Sequence, residues 1–153
     1  MSEHRAKVEW NLQGAFEYKS YSRAHDIAFG GGIRVPGNAA AGNIPATVPA
    51  VHGADPEQAF VASLSACHML WFLHVACRAK FTVRRYVDEA FGVLEKNTAG
   101  VPMMTRVTLR PAVSFSGIPP TPEEHARLHH EAHEKCFIAN SVKSEVACLP
   151  TIS

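Results

Sequence analysis

One long apolar stretch constrains this chain more than any other feature. Residues 59 to 77 contain no Asp, Glu, Lys or Arg, and the stretch is long enough to resemble a short transmembrane helix. Ser63, Ser65, His68 and His74 interrupt it, however, and aromatic anchors do not flank both of its ends. A helix that is apolar nearly all round is instead expected at the centre of a globular core or between two subunits.

The residues before this stretch predict where the helix begins. Asp55 is suited to the N-cap, Pro56 to the first helical position and acidic Glu57 to the first turn, and Gln58 closes a capping box. The sequence therefore predicts a helix from residue 56 to about residue 79.

The rest of the chain alternates between extended and helical patterns. Strands are expected at residues 6–12, 25–29, 81–95, 103–116 and 144–149, and an irregular connection at 30–53. A second, amphipathic helix is expected with Thr121 as its N-cap, running to about Cys136 or a little beyond. Residues 97 to 100 form a turn that makes the two central strands a hairpin. The order predicts an α+β fold with strands at both ends, a central hairpin and two helices, in one domain over residues 1–153.

The net charge and the cysteine content limit the classes of function that we expect. The 15 basic residues nearly balance the 14 acidic ones among 153, so no overall field favours nucleic acid or an anionic membrane. The first ten residues lack the apolar run of a signal peptide, and we expect a cytoplasmic protein. Four cysteines are too few for a disulfide scaffold, so in a reducing compartment they are core residues, metal ligands or redox thiols.

The cysteine spacing limits which thiols can pair. Cys67 and Cys77 are ten residues apart in one helix and thus about 15 Å apart along its axis, too far for a disulfide. A disulfide of Cys67 must use Cys136, Cys148 or a cysteine of a second chain. Cys136 is better placed because the backbone loosens at the end of a helix, so we assign it the resolving role. Cys77 and Cys148 are expected in the core.

Thiol chemistry at Cys67 requires a cation from outside its own helix. The reactive form is the thiolate, and the helix dipole fades within the first turn, about three turns before Cys67. His68 points about 100° away from Cys67 on the helix. Arg23, in the predicted loop before the second strand, is the better candidate because it is permanently charged.

A histidine stripe offers a rival interpretation. His125, His129, His133 and Cys136 recur at spacings of four, four and three residues, which is suitable for zinc. Four ligands on one helix cannot surround an ion tetrahedrally. We therefore predict no metal and no cofactor.

Several motifs together resemble the OsmC/Ohr family of thiol peroxidases. They are Tyr-Ser-Arg at 21–23, Asp-Pro-Glu-Gln at 55–58, Ser-Ala-Cys-His at 65–68, and His-Glu-Lys-Cys at 133–136 followed by Ala-Asn-Ser-Val-Lys at 139–143. The resemblance covers nearly the whole chain. It departs from the family pattern at Phe137, where many relatives have proline, and at His68, where the hydroperoxide-resistance branch usually has a smaller residue.

The resemblance implies a fold, an activity and site residues. It implies an intertwined homodimer, with Cys67 as the peroxidatic cysteine, Cys136 as the resolving cysteine, Arg23 as the activator of the thiol and Glu57 as the acid that orients that arginine. The implied reaction is the reduction of organic hydroperoxides in oxidative-stress defence. A dithiol, in the Ohr branch a lipoyl group on a partner protein, would reduce the enzyme again.

Helix geometry adds a condition to this assignment. Glu57 and Cys67 lie about 15 Å apart on one straight helix, so a partner subunit should complete each site. The alternative function is a non-catalytic thiol, small-ligand or metal-binding module on the same fold.

Overall fold

The computed structural model describes residues 1–49 and 51–153 and has the expected α+β content. Its chain divides into two compact units, Met1–Ala59 and Phe60–Ser153. Each unit is described by itself, and the expectation of one domain stays a prediction.

The first unit is built on a three-stranded antiparallel sheet. Its strands are β1 (Ala6–Glu9), β2 (His25–Phe29) and β3 (Arg34–Gly37), in the order β1-β2-β3. The prediction for β2 is confirmed, whereas β1 ends three residues earlier than expected. A 3-10 helix at Gly30–Gly32 joins β2 to β3, and Gly31 and Gly32 have positive φ angles of 75° and 80°. Glycine suits this turn because a side chain would be strained there.

The stretch predicted as irregular contains regular structure at its start. β3 and a second 3-10 helix at Ala41–Asn43 lie within residues 30–53, so the prediction of a wholly irregular connection was wrong. The strand forms because β2 supplies its hydrogen-bond partners, a long-range pairing that a Gly- and Pro-rich sequence does not indicate. The Asn38 side chain also donates to the Val51 carbonyl oxygen. Ala50 lies outside the described residues.

Helix α1 (Pro56–Arg78) begins and ends close to the predicted positions. The Gln58 backbone N–H donates to the Asp55 carboxylate at 2.6 Å, and the Asp55 N–H donates to the Gln58 side chain at 3.3 Å. These two bonds form the predicted capping box. Past its first turn, α1 belongs to the second unit.

The second unit contains two three-stranded sheets. The sheet orders are β4-β7-β9 and β5-β6-β8, with two antiparallel pairs, β4–β7 and β5–β6, and two parallel pairs, β6–β8 and β7–β9. The strands are β4 (Thr82–Asp88), β5 (Phe91–Lys96), β6 (Pro102–Leu109), β7 (Pro111–Ser116), β8 (Glu145–Cys148) and β9 (Thr151–Ile152). Helix α2 (Pro122–Lys135) begins with the predicted cap at Thr121, which forms a capping box with Glu124.

Each of the two long central strands predicted from the sequence is in fact two strands. The break comes where the Asp88 carboxylate accepts the Arg110 backbone N–H at 2.6 Å and the Arg110 guanidinium donates to the Glu89 carbonyl oxygen. Pro111, which follows, has no N–H to donate. The hairpin itself is confirmed between β5 and β6.

Helix α1 packs on both parts of the core of this unit. Leu64 joins Val107 and Leu109 of β6, while Phe72, Val75 and Ala76 pack with residues of β7 and α2. By length and composition α1 could span a bilayer, a test that the core helix of a soluble protein also passes. Its Ser65 hydroxyl donates to Asp88 at 2.6 Å, so part of its surface contacts polar groups of the same unit.

We expect Asp88→Ala to lower the free energy of unfolding by about 1.5–3 kcal/mol, because two donors lose a charged acceptor. Urea denaturation measures the change. Asp26→Ala is the matched control, since Asp26 is exposed and lies 3.7 Å from Arg34, and it should cost less than about 1 kcal/mol. Equal losses in the two variants would contradict this role for Asp88.

Candidate functional site

Two of the predicted site residues, Cys67 and Cys136, lie close together. Cys67 lies half-buried on α1, and Cys136 is the buried C-cap residue of α2. The Cys67 side chain lies close enough to the Cys136 thiol to act on its pKa. Burial first, and then the neighbouring Cys67 side chain, raise the pKa of the Cys136 thiol to about 11, although the Ala139 N–H, 3.4 Å from its Sγ atom, acts in the opposite direction.

The end of α2 determines where Cys136 lies. The helix stops at Lys135, and Cys136 has an extended backbone with φ −68° and ψ 107°. Phe137, at the position where many members of the resembled family have proline, packs edge-on against Trp71 of α1 with ring centroids 5.4 Å apart. This aromatic contact holds the end of α2 beside α1, next to the thiol pair.

Arg23 and Glu57 lie in the first unit, and the single chain does not pair them. The Arg23 guanidinium donates to the carbonyl oxygens of Tyr18 and Tyr21 and lies 3.7 Å from the centroid of the Tyr21 ring. The Glu57 Oε2 atom is buried and has no hydrogen-bond partner among residues 1–49 and 51–153. The assignment of Glu57 as the acid that orients Arg23 therefore stays a prediction for the assembled protein.

An apolar pocket in the first unit adjoins Arg23. Its volume is about 440 Å³, and its lining includes Trp10, Phe16, Tyr21 and Arg23. Trp10 is held in place by a hydrogen bond from its indole N–H to the Ser22 carbonyl oxygen. The pocket combines aromatic surface with one permanent positive charge, a combination that suits an organic molecule with a polar end.

A second cluster of reactive groups, not predicted from the sequence, lies in the second unit. His68 of α1, His129 of α2 and Cys148 of β8 meet there. The His68 Nε2 atom is 3.0 Å from the His129 Nδ1 atom, and the Cys148 Sγ atom is 3.6 Å and 3.8 Å from these two nitrogens. The other ring nitrogen of His129 is 3.2 Å from the Nε2 atom of His125.

Burial controls the protonation of this cluster. It is the largest cause that lowers the pKa of His68 to about 4 and that of His129 to about 3, with smaller contributions from neighbouring histidines. Burial also raises the pKa of the Cys148 thiol to about 12, with a further contribution from Asp88. At neutral pH without a bound ion, the cluster therefore consists of two neutral imidazoles and one thiol.

These positions correct one expectation from the sequence and add to another. Cys77 is exposed in the chain rather than in the core, because at 100° per residue it points away from Phe72, Val75 and Ala76, the buried residues of that part of α1. Cys148 is half-buried and packs against a core cluster, as expected, but its Sγ atom also lies 3.6 Å and 3.8 Å from two histidine nitrogens.

The residues of the histidine stripe on α2 do not come together in one site, as the zinc interpretation would require. His129 joins His68 and Cys148, while Cys136 lies near Cys67. The spacing of residues in the sequence could not indicate this cluster, because its members come from three elements. His68 and His129 are 61 positions apart in the sequence, and His68 and Cys148 are 80 positions apart.

Comparisons with known proteins identify the family of this chain. A model of the OsmC-like proteins matches residues 49–148. The chain belongs to the OsmC-like family. It is 44% identical to an OsmC-like protein of unknown function from Vibrio cholerae, with a TM-score of 0.93 over 99% of this chain and 100% of that one. No curated protein matches the chain.

More distant solved structures share the OsmC-like fold. The organic hydroperoxide resistance protein OhrB of Bacillus subtilis is 22% identical, with a TM-score of 0.61 over 97% of this chain and 98% of that one. An organic hydroperoxide resistance protein from Legionella pneumophila is 18% identical, with a TM-score of 0.63 over 100% and 98% of the two chains. The predicted family and fold class are thus confirmed.

The raised pKa of Cys136 leads to a labelling prediction. In the native protein at pH 8, we expect iodoacetamide to alkylate Cys136 at least about tenfold more slowly than in urea, because little of the native thiol is ionised. Mass spectrometry of the labelled peptides measures both rates. The native rate should rise as the pH approaches 11. Equal rates in the native and unfolded protein would contradict the protonated, buried state of Cys136.

Proposed function

We propose that this OsmC-like protein is a thiol-dependent peroxidase that reduces organic hydroperoxides, with Cys67 as the peroxidatic and Cys136 as the resolving cysteine. The observation that carries the proposal is that the tertiary structure brings the Cys67 and Cys136 side chains close together, near enough for Cys67 to raise the pKa of Cys136. Two relatives of the same fold are named as organic hydroperoxide resistance proteins, which supports an activity in oxidative-stress defence.

The environments of the two thiols support this division of roles. Peroxide attack requires a thiolate, and the high pKa of Cys136 keeps that thiol protonated near neutral pH. Cys67 is less buried and is therefore the thiol that a substrate reaches. Cys136 lies at a helix end, close to the Cys67 side chain that it must join.

The proposed cycle has three steps. The Cys67 thiolate attacks the outer peroxide oxygen, the O–O bond breaks, and the alkoxide leaves as an alcohol after taking up a proton. The Cys136 thiol then condenses with the Cys67 sulfenic acid, which forms the disulfide and releases water. A dithiol reduces this disulfide by exchange and becomes a disulfide itself. The reductant we propose is a lipoyl group on a partner protein.

The surface of α1 supports a homodimer. Only 28% of the most apolar 18-residue segment of α1 is buried within the chain, and the Leu70 side chain is 63% exposed. Such a surface is stabilised when a second copy covers it. We propose that the protein is a homodimer in the cytoplasm and that the partner subunit completes each site. In that site Glu57 orients Arg23, and Arg23 activates the Cys67 thiol. The buried Glu57 oxygen, which has no hydrogen-bond partner among the residues that the structure describes, is consistent with a missing basic neighbour.

The pocket beside Arg23 supports an organic substrate. Its aromatic lining favours an alkyl or acyl chain, and the guanidinium favours a polar end group. Hydrogen peroxide has no apolar part to occupy such a pocket. We therefore propose that it is the poorer substrate.

Substitution of the reactive cysteine tests the proposal. We expect Cys67→Ser to abolish consumption of cumene hydroperoxide, because a serine hydroxyl is not a nucleophile of thiolate strength, while the control Cys77→Ser keeps the wild-type rate. Peroxide loss is followed with dihydrolipoamide or dithiothreitol as the reductant. A wild-type protein that consumes no peroxide with either reductant would instead favour the non-catalytic binding module.

The disulfide step has its own test. After one equivalent of organic hydroperoxide per chain, we expect peptide mass spectrometry to find Cys67 linked to Cys136. In Cys136→Ser the Cys67 sulfenic acid should accumulate instead, trapped by dimedone. A wild-type Cys67 sulfenic acid that never condenses would remove Cys136 from the mechanism.

A further inference from the structure

We propose that His68, His129 and Cys148 form a site for one divalent cation of the zinc type. The three residues lie on α1, α2 and β8, all within the second unit. The proposed ligand atoms are His68 Nε2, His129 Nδ1 and Cys148 Sγ. This assignment departs from the sequence-based expectation of no metal, and it does not depend on the peroxidase proposal.

The distances between the ligand atoms fit a tetrahedral ion. With Zn–N bonds of about 2.05 Å and Zn–S bonds of about 2.3 Å, tetrahedral angles put two nitrogens about 3.3 Å apart and a nitrogen and a sulfur about 3.6 Å apart. The structure has 3.0 Å between the nitrogens, and 3.6 Å and 3.8 Å from them to the sulfur. Each separation lies within about 0.4 Å of the expected value, so a small adjustment admits the ion.

The surroundings of His129 suit a metal ligand. Its Nε2 atom is 3.2 Å from the Nε2 atom of His125, which is itself buried. When the Nε2–H of His129 donates to His125, the lone pair of its Nδ1 atom faces His68 and Cys148. Ligating histidines commonly donate their second nitrogen in this way, which fixes the tautomer and the ring orientation.

The protons can be placed for every ligand. Ion binding removes the hydrogen bond between the His68 and His129 rings, and the proton of His68 then moves from Nε2 to Nδ1. The Nδ1 atom is buried and has no hydrogen-bond partner among the described residues. The Cys148 thiol releases its proton to solvent, so one proton leaves for each ion bound. The remaining charge of the site is positive, and Asp88 is near enough to interact electrostatically with both His68 and Cys148.

An entry route and a fourth position are present. A cavity of about 260 Å³ opens beside the cluster, and its lining includes His129, His133 and Cys148. Three protein ligands with an accessible fourth position are typical of zinc sites that bind a water or a small ligand. The cavity has room for such a water.

The ligands of this site are separate from the peroxidase thiols. Cys67 and His68 are adjacent in sequence, but successive side chains on a helix point about 100° apart. Cys67 therefore lies near Cys136, and the Nε2 atom of His68 lies 3.0 Å from the Nδ1 atom of His129. The proposal uses neither Cys67 nor Cys136 as a ligand.

Cobalt is a suitable probe because its thiolate and tetrahedral complexes absorb visible and near-ultraviolet light. The experiment titrates metal-free, fully reduced full-length protein with Co²⁺ under argon. We expect saturation at one ion per chain, with the charge-transfer band of a single thiolate and displacement by Zn²⁺. The double variant Cys67→Ser/Cys136→Ser should give the same spectrum, which separates this site from chelation by the thiol pair.

Matched variants decide which residues bind. Cys148→Ser should lose the charge-transfer band, whereas Cys77→Ser should keep it. His125→Leu should keep the band but weaken binding by about 10–100-fold, as expected for the loss of a hydrogen bond behind a ligand. A band that survives in Cys148→Ser, or that disappears in the Cys67→Ser/Cys136→Ser variant, would overturn the proposal, as would an absence of binding to the wild type.

A measurement on zinc itself covers the case in which Cys148→Ser does not fold. His129→Gln keeps the thiol but removes one ligand, and circular dichroism checks its fold. Zinc should raise the Tm of the wild type and of Cys77→Ser but not that of a folded His129→Gln. A zinc-dependent rise of the same size in His129→Gln would count against the site.

Discussion

Polar side chains on the face of α1 that packs against the core need partners from other elements, and this requirement organises the second unit around α1. Within four residues, α1 carries a hydroxyl at Ser65, a thiol at Cys67 and an imidazole at His68. Their partners are Asp88 at the end of β4, Cys136 at the end of α2, and His129 in the middle of α2. Because an unpaired buried polar group costs about 1–3 kcal/mol, these contacts constrain how the strands and α2 pack on the helix.

Asp88 links this requirement to the break between the sheets. The same carboxylate accepts from Ser65 and from the Arg110 backbone, at the point where β6 ends and β7 begins. Its charge also acts on His68 and Cys148. One residue thus connects the packing of α1, the division of the strands and the electrostatics of the histidine cluster.

Two chemically different sites emerge from adjacent residues of one helix. Cys67 is directed to a thiol that burial keeps protonated, and His68 to a buried imidazole and a second thiol. The helical rotation of about 100° per residue keeps the two sites apart. We propose redox chemistry at the pair Cys67 and Cys136, and cation binding at the cluster of His68, His129 and Cys148. An ion bound at the cluster would link α1, α2 and β8.

The sequence by itself determined the features that depend on neighbouring residues. Local patterns predict the capping box of α1, the N-cap of α2, the bounds of the two helices, β2 and the β5–β6 hairpin, and the family was identified from short motifs. Tertiary structure alone decided the division of the long strands, the pairing of β3, the exposure of Cys77 and the meeting of His68, His129 and Cys148. The physical reason is that a cap acts within one turn of chain, whereas these features join residues far apart in sequence, which no local pattern specifies.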